Sequence, residues 1–175
     1  MTHITTGVEY ALHCLLYLAD PGAGAQAASA RDLAELQGVS VEYVAKLFTR
    51  LQKAGLLTAT EGAKGGFSLA RPAGRITMLD VVEAIDGEKK LFDCQEIRGR
   101  CAVFGERPPG WATKGVCSIH AVMLEAEAKM RDALAGHTLA DINARVASKA
   151  PAGFGAQLTD WLAARPSGRD AKPTR

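Results

Sequence analysis

Residues 29 to 71 constrain the fold of this chain more than any other stretch, because two helix-start signals follow each other in quick succession. Ser29 stands three residues before Asp32, which is the spacing of a capping pair, and Gly38 ends the first predicted helix. Ser40 caps a second predicted helix. The apolar residues of that helix recur every three or four positions, namely Val41, Val44, Ala45, Leu47, Phe48 and Leu51. A helix, a glycine-containing turn and a second helix together predict a helix-turn-helix.

Two short strand patterns follow the second predicted helix directly. They cover residues 56–60 and 66–69, and the glycine-rich segment between them carries Lys64 near its tip. A β-hairpin placed directly after a helix-turn-helix is typical of a winged helix-turn-helix. The sequence therefore predicts a mostly α-helical fold with a small β-hairpin wing.

Positive charge is concentrated on this segment although the whole chain is nearly neutral. The 175 residues carry a formal net charge of only +2, which does not by itself indicate a nucleic-acid partner. Between residues 41 and 75, however, six Lys or Arg residues stand against two acids, a local charge of +4. The six are Lys46, Arg50, Lys53, Lys64, Arg71 and Arg75. A solvated helix face can carry such a cluster, but its position on the second helix and the hairpin favours a DNA-binding surface.

No targeting or membrane segment is recognisable in the sequence. The first twenty residues lack a basic start and carry Glu9 and His13 within their apolar run. Nowhere do about 20 apolar residues occur in succession. We therefore expect a cytoplasmic protein without membrane contacts. In that reducing compartment the four cysteines are expected to be metal ligands, sensors or buried residues rather than disulfide partners.

Helical patterns flank the winged region on both sides. Residues 4–19 are amphipathic, and Glu9 and His13 lie four apart and thus on one face. Residues 118–135 carry a long apolar stripe, which we interpret as a dimerisation helix; the alternative is a helix that folds back on its own domain. The predicted domains are a winged helix-turn-helix (1–87), a cysteine-bearing loop (88–117), the dimerisation helix with a following short helix (118–148) and a partly disordered tail (149–175).

The cysteine-bearing loop is rich in glycine and proline and contains most of the cysteines. Cys94, Cys101 and Cys117 are followed by His120, three residues after the last cysteine. Thiolates in such a loop can converge on an iron–sulfur cluster, whereas three thiolates and an imidazole could equally form a tetrahedral zinc site. A cluster-free thiol switch is a further alternative. No oriented third group or phosphate-binding glycine motif accompanies these residues, so we do not expect an enzyme.

Three short motifs of the winged region resemble those of a known family. They are Ser40-x-x-Tyr43, Ala54-Gly55-Leu56-Leu57 and Gly65-Gly66-Phe67-Ser68-Leu69-Ala70-Arg71. Residues 1 to 147 are similar on these grounds to the IscR/NsrR/RsrR family of bacterial iron–sulfur and thiol-sensing transcription regulators. The resemblance implies a homodimeric repressor that binds a roughly palindromic, double-stranded DNA operator.

The first helix and the start of the cysteine-bearing loop look most like the RsrR-like redox sensors of that family. This resemblance implies a 2Fe-2S cluster shared between the loop of one subunit and the first helix of the other. The ligands that it implies are Cys94 and Cys117 of the loop and Glu9 and His13 of the helix. Other relatives hold a 4Fe-4S cluster with three cysteines and sense nitric oxide or iron, so Cys101 is an alternative ligand. His120 is another, because one relative has a His at the same spacing after its last cysteine.

DNA recognition is assigned to the second helix and the hairpin. Side chains in the first turns of a recognition helix reach base edges or flanking phosphates. The residues assigned to this role are Ser40, Glu42, Tyr43 and Lys46. Arg50, farther along the helix, and Lys64, at the hairpin tip, are expected to contribute mainly attraction to phosphates. We expect the cluster to control DNA affinity through geometry, because a bound cluster would fix the spacing of the two recognition helices in the dimer.

Overall fold

A computed structural model of the chain describes residues 4–19, 28–60 and 65–165. The chain forms two units. The winged unit comprises Met1–Gly87 together with Leu134–Arg175, and the cysteine unit comprises Glu88–Ala133. The cysteine unit is therefore inserted, in sequence, between two parts of the winged unit.

The first helices of the winged unit begin where the sequence places side-chain caps. They are α1 (Thr6–Ala19), α2 (Ala30–Gln37) and α3 (Val41–Lys53). The hydroxyl of Ser29 accepts a hydrogen bond from the backbone N–H of Asp32 at 3.1 Å, and the Asp32 carboxylate accepts one from the backbone of Ser29. The predicted capping box is thereby confirmed. Gly38 follows α2 with a φ of 64°, a left-handed conformation that favours glycine and allows the chain to turn into α3.

A two-stranded antiparallel sheet follows α3. Its strands are β1 (Leu57–Thr60) and β2 (Gly66–Leu69), paired with Leu57 opposite Leu69. Ala28 extends the sheet by a bridge to Phe67, whose backbone N–H donates to the Ala28 carbonyl at 2.9 Å. The Phe67 ring meets Phe48 of α3 edge-on, with centroids 4.8 Å apart. These contacts place a β-hairpin against the second helix of a helix-turn-helix, as predicted, while the connecting residues 61–64 lie outside the described part of the chain.

The last helix before the cysteine unit is α4 (Met78–Asp86). Thr77 and Asp80 form its capping box, in which the Asp80 carboxylate accepts from the Thr77 N–H at 2.8 Å. Val81 and Ile85 are buried on its inner face. This short helix packs against α1 and α3 of the winged unit.

The cysteine unit has little regular structure before its final helix. Its elements are two 3-10 turns (Ile97–Arg100 and Ala102–Phe104), α5 (Gly110–Thr113) and α6 (Ser118–Ala135). Between residues 88 and 133, all of which the structure describes, Ala112 is the only buried residue. The long helix occurs where its apolar stripe predicts it, and none of its residues is buried in the single chain. Along the stripe, Val122 is 62% exposed, whereas Met123 and Met130 are half-buried.

Two further helices return to the winged unit after α6. They are α7 (Leu139–Ala147) and α8 (Phe154–Ala163). The fully buried Leu139 anchors α7, and its backbone N–H donates to the Ile76 carbonyl at 2.9 Å. Leu158 is buried on α8, and just beyond this helix Arg165 donates to the carboxylate of Glu35 in α2 at 2.5 Å. No helix is predicted from the sequence at α8, and the polar end of the predicted tail, residues 166–175, lies outside the described residues.

The core of the winged unit gathers apolar residues from the helices and the segments between them. Its fully buried large side chains include Val8, Leu15, Leu33, Val44, Phe48, Leu51, Leu56, Ile76, Val81 and Leu139. Cys14 lies among them, and burial raises the pKa of its thiol to about 12. Cys14 is therefore an unreactive core residue, which is one of the roles that the sequence leaves open for the cysteines. None of the described helices is long and apolar enough to cross a membrane.

Candidate nucleic-acid interface and cysteine site

The recognition helix α3 has one buried face and one exposed face. Val44, Leu47, Phe48 and Leu51 point into the core and hold the helix in place. Three of the six side chains assigned to DNA, those of Ser40, Glu42 and Lys46, are exposed on the other side. Ser40 also caps the helix by accepting from the backbone N–H of Tyr43 at 3.2 Å. The face that the sequence assigns to DNA is thus free of core contacts at these three positions.

Tyr43 and Arg50 make internal contacts that the sequence does not predict. The Tyr43 ring is half-buried and meets Tyr10 of α1 edge-on, with centroids 5.5 Å apart. Nη1 of Arg50 donates to the carbonyl of Ile85, in the last turn of α4, at 2.5 Å. Tyr43 therefore connects the recognition helix to α1, and Arg50 connects it to α4. Their predicted roles toward DNA remain predictions, and Lys64 lies outside the described residues.

Glu9 and His13 occupy the outer face of α1. Both side chains are exposed and lie one turn apart, whereas Val8, Ala11 and Cys14 on the opposite face are buried. This placement agrees with the expected amphipathic helix. It leaves a carboxylate and an imidazole on the surface of the winged unit, with a spacing that would allow both to bind one metal ion or cluster.

The three cysteines of the cysteine unit differ in exposure. Cys94 and Cys117 are half-buried, and Cys101 is exposed. His120, in the first turn of α6, is half-buried and lies 6.0 Å from the ring of Phe92, measured between centroids. All of these cysteines are free thiols, so no disulfide competes for them.

Arg98 joins the segment of Cys94 to the segment of Cys117. Its Nε donates to the carboxylate of Glu96, and its Nη2 donates to the carbonyl of Gly115 at 2.9 Å and, more weakly, to that of Thr113 at 3.4 Å. The hydrogen bond with Glu96 is the main reason why the pKa of Arg98 is raised, and the electrostatic influence of Cys117 and Cys94 acts in the same direction. The guanidinium is thus close enough to interact with both thiols.

Glu96 completes this arrangement. Its pKa is lowered, mainly by the hydrogen bond from Arg98 and to a smaller extent by His120. Its backbone has φ 48° and ψ 49°, a left-handed conformation unusual for a residue other than glycine. The sequence assigns no role to Glu96 or Arg98. Their opposite charges, two residues apart and between the candidate ligands Cys94 and Cys101, are the sequence signal for an ion pair at this position.

The candidate ligands fall into two groups. Glu9 and His13 belong to the winged unit, whereas Cys94, Cys117 and His120 belong to the cysteine unit, where they contribute to the pKa shifts of the Glu96–Arg98 pair. Within the part of a single chain that the structure describes, no group of three or more His, Cys, Asp or Glu side chains stands close enough to hold a metal ion. The chemistry of the donors nevertheless fits an iron–sulfur cluster, which takes thiolates and, in some centres, imidazole.

Comparison with known sequences places the chain among bacterial regulators. The model of one family, "Rrf2: Iron-dependent Transcriptional regulator", matches residues 4–145. Protein rrf2 from Nitratidesulfovibrio vulgaris is 37% identical over 139 residues, which is 79% of this chain and 85% of that protein. The HTH-type transcriptional regulator IscR from Xenorhabdus nematophila is 41% identical over 68 residues, covering 39% of this chain and 42% of IscR.

Solved structures show the same fold. IscR of T. potens superposes with a TM-score of 0.63 at 23% identity and covers 87% of this chain and 95% of its own. CymR, the global cysteine regulator of B. subtilis, superposes with a TM-score of 0.65 at 21% identity and covers 83% of this chain and 98% of its own. The mostly helical fold with a hairpin wing is therefore confirmed. The family model ends at residue 145, before α8 begins.

Proposed function

The chain belongs to the Rrf2 family of transcriptional regulators, and we propose that it senses redox state through a 2Fe-2S cluster that sets its affinity for a DNA operator. As predicted, it is a DNA-binding regulator of transcription and not an enzyme. The sensing proposal depends on one observation above all. Cys94 and Cys117 are half-buried near a single guanidinium, in the unit that is otherwise almost without a core.

The donor set of the proposed site combines residues of both units. Cys94 and Cys117 would supply two thiolates, and Glu9 and His13, from α1 of the other subunit, would supply a carboxylate and an imidazole. Once bound, the cluster would supply one-electron redox chemistry, at a potential raised by the replacement of thiolate with imidazole. The proposal also gives a reason for two exposed polar residues one turn apart on a helix whose other face is core.

In the proposed homodimer, α6 of each subunit packs against its copy. Ile119 and Val122 on its apolar stripe are exposed, and no residue of α6 is buried in the single chain. Apolar side chains that recur along one helix face are a common dimer interface. A two-fold dimer would present two α3 helices to the two halves of a palindromic operator.

The proposed switch acts through α1. This helix packs against α3 in the winged unit, in part through the Tyr10–Tyr43 ring contact. If Glu9 and His13 ligate the cluster of the other subunit, the position of α1, and with it that of α3, depends on whether the cluster is reduced, oxidised or absent. Coupling of about 1–3 kcal/mol would change operator affinity by about 5- to 150-fold.

Anaerobic spectroscopy with iron and sulfide counts tests the ligand set. The wild type is expected to be coloured, with about two irons and two sulfides per site. His13→Ala is expected to lose or shift the visible bands, and Cys101→Ala and His120→Ala serve as matched controls that keep them. Retained bands in His13→Ala together with their loss in Cys101→Ala would instead indicate a three-cysteine 4Fe-4S site. A colourless protein with stoichiometric zinc would favour the zinc alternative.

Operator binding tests the regulatory part of the proposal. Affinity is measured with the cluster reduced, oxidised and removed, at one fixed salt concentration. We expect the three states to differ by at least about fivefold. Equal affinities would leave the cluster without a regulatory function even if its ligands are as proposed.

A further inference from the structure

Two polar arrangements join parts of the cysteine unit that are far apart in sequence. The backbone N–H of Leu91 donates to the carboxylate of Glu127 in α6 at 2.8 Å, and Arg98 joins the segments that carry Cys94 and Cys117. Arg98 lies 15 and 17 residues before Thr113 and Gly115, whose carbonyls its Nη2 contacts at 3.4 and 2.9 Å. Its Nε simultaneously binds the Glu96 carboxylate, and only 20% of its side chain is exposed. The segment that starts at Cys94 is therefore fastened to the segment that leads into Cys117.

Apolar packing offers little to hold these segments in place. Ala112 is the only buried residue between positions 88 and 133, a stretch that the structure describes throughout. The contact between the Phe104 and Trp111 rings lies within the loop, but Trp111 is 79% exposed. Closing a loop of this length has an entropic cost that some interaction must offset. The hydrogen bonds of the Arg98 guanidinium are suited to this role, because its planar shape presents several donors in fixed directions.

The charges around Arg98 support the same role. The guanidinium interacts with Cys94 and Cys117, and it remains cationic at all relevant pH values. A cation held between the two segments lowers the electrostatic cost of bringing electron-rich sulfur atoms close together. The hydrogen bond to Glu96 fixes the position of the guanidinium. It also helps to offset the energetic cost of the left-handed backbone conformation of Glu96.

We propose that Arg98 is the positioning residue of the cysteine site, holding Cys94 and Cys117 near each other before any cluster is bound. This inference deepens the proposed function and rests on it for its biological meaning, but the arrangement itself does not require a cluster. It can therefore be tested in cluster-free protein.

The test measures disulfide formation between the two thiols in full-length, cluster-free protein. A Cys101→Ser background leaves Cys94 and Cys117 as the reactive pair, since Cys14 is buried. In a glutathione redox buffer, the two thiols lose two electrons and two protons as the sulfur–sulfur bond forms, and oxidised glutathione takes them up to give two reduced glutathiones. Mass spectrometry of peptides from the monomeric band identifies the Cys94–Cys117 link.

Arg98→Ala is expected to lower the equilibrium constant for this disulfide by about tenfold, the size of effect that loss of one or two hydrogen bonds produces. Arg98→Lys, which keeps the charge and one donor, is expected to recover part of the loss. Arg100→Ala is the matched control, because Arg100 is an exposed arginine in the same short turn, and it should leave the constant unchanged. Circular dichroism of each variant verifies that the winged unit is folded.

Equal constants in the wild type and Arg98→Ala would overturn the inference, as would a wild type in which this disulfide never forms. A second readout uses the loaded protein, in which Arg98→Gln should shift the midpoint potential to more negative values and Arg98→Lys should restore it, because a cation next to the cluster favours the reduced state.

The proposed function and the role of Arg98 can fail separately. If no cluster can be assembled but the disulfide still weakens in Arg98→Ala, the proposed function fails and the role of Arg98 stands. If a cluster assembles but Arg98→Ala leaves the disulfide equilibrium unchanged, the role of Arg98 fails and the proposed function stands.

Discussion

The winged unit and the cysteine unit are held together by different forces. The winged unit buries large apolar residues from α1, α3 and α4, and its helices start at side-chain caps. The cysteine unit buries one alanine. Its segments are joined by polar contacts, among them the hydrogen bonds of the Arg98 guanidinium and that of Leu91 with Glu127, and by the exposed or half-buried ring contacts. The first arrangement resists distortion, whereas the second can be altered by a change of charge or ligand at little cost in stability. This difference agrees with a division of roles between the units. The rigid winged unit binds DNA, and in the proposed function the less rigid cysteine unit senses the redox state.

The most severe test of this contrast removes one aromatic ring from each unit. Phe48→Ala in the winged unit should cost about 3–5 kcal/mol of unfolding free energy, because it leaves a cavity in the core beside Phe67. Trp111→Ala in the cysteine unit should change it by less than about 0.5 kcal/mol, since the ring is mostly exposed. Urea unfolding followed by circular dichroism measures both. Equal losses would mean that the two units are stabilised alike.

The next largest effect concerns the exposed stripe of α6. Val122→Asp should abolish the dimer at micromolar concentrations, because an unpaired carboxylate would be buried in the proposed interface. Ala128→Asp is the matched control, since residue 128 is exposed and lies on the side of the same helix opposite the stripe. Light scattering after size-exclusion chromatography gives the mass of each variant. A dimeric Val122→Asp protein would contradict the assignment of α6.

A smaller change, in operator affinity, is expected when single basic residues of α3 or the hairpin are replaced. Lys46→Ala should weaken operator binding several-fold and reduce the slope of log affinity against log salt by about one unit, because one phosphate contact is lost. Lys64→Ala is predicted from the sequence to do the same at the wing. Lys149→Ala, an exposed lysine that follows α7, provides the control. Unchanged affinity and salt slope in Lys64→Ala would show that the wing assignment is wrong.

The smallest predicted effect is a pH dependence at the start of α7. The pKa of Asp141 is lowered, first by the backbone N–H of Thr138 and then by its hydroxyl. A carboxyl whose pKa is lower in the folded state stabilises the fold above its unfolded pKa of about 3.9, and this contribution is lost as pH falls through the lower, folded value. Asp141→Asn should therefore flatten the acid limb of the stability curve below about pH 4. Urea midpoints at a series of pH values, compared with Asp160→Asn on α8, measure the difference.

Local signals explain which parts of this structure are predictable from the sequence. Ser29, Ser40, Thr77 and Thr138 each act on residues three positions away, so the starts of four helices can be read directly. α8 lacks such a signal, since its N-cap is Gly153 and no side chain caps it. The contacts of Arg98 with the carbonyls of Thr113 and Gly115 span 15 and 17 residues through a stretch without periodicity, so no pattern in the sequence reveals them.

The same distinction between local signals and tertiary contacts applies to the residues of the candidate site. The exposure of Ser40, Glu42 and Lys46 follows from helical periodicity, and so does that of Glu9 and His13. The internal contacts of Tyr43 with Tyr10 and of Arg50 with Ile85 depend on how separate helices meet, which a pattern within one helix cannot specify. Local chemistry thus predicts which side a residue faces, and tertiary packing decides what it touches there.

The two tryptophans of the chain fall one in each unit. Trp111 is open to solvent in the cysteine unit, whereas Trp161 on α8 is partly covered and has the guanidinium of Arg165 lying 3.7 Å from its ring centroid. Trp111→Phe and Trp161→Phe would each leave a single tryptophan fluorophore. Emission could then be followed separately for the winged unit and the cysteine unit during reduction or operator titration, without attaching any dye.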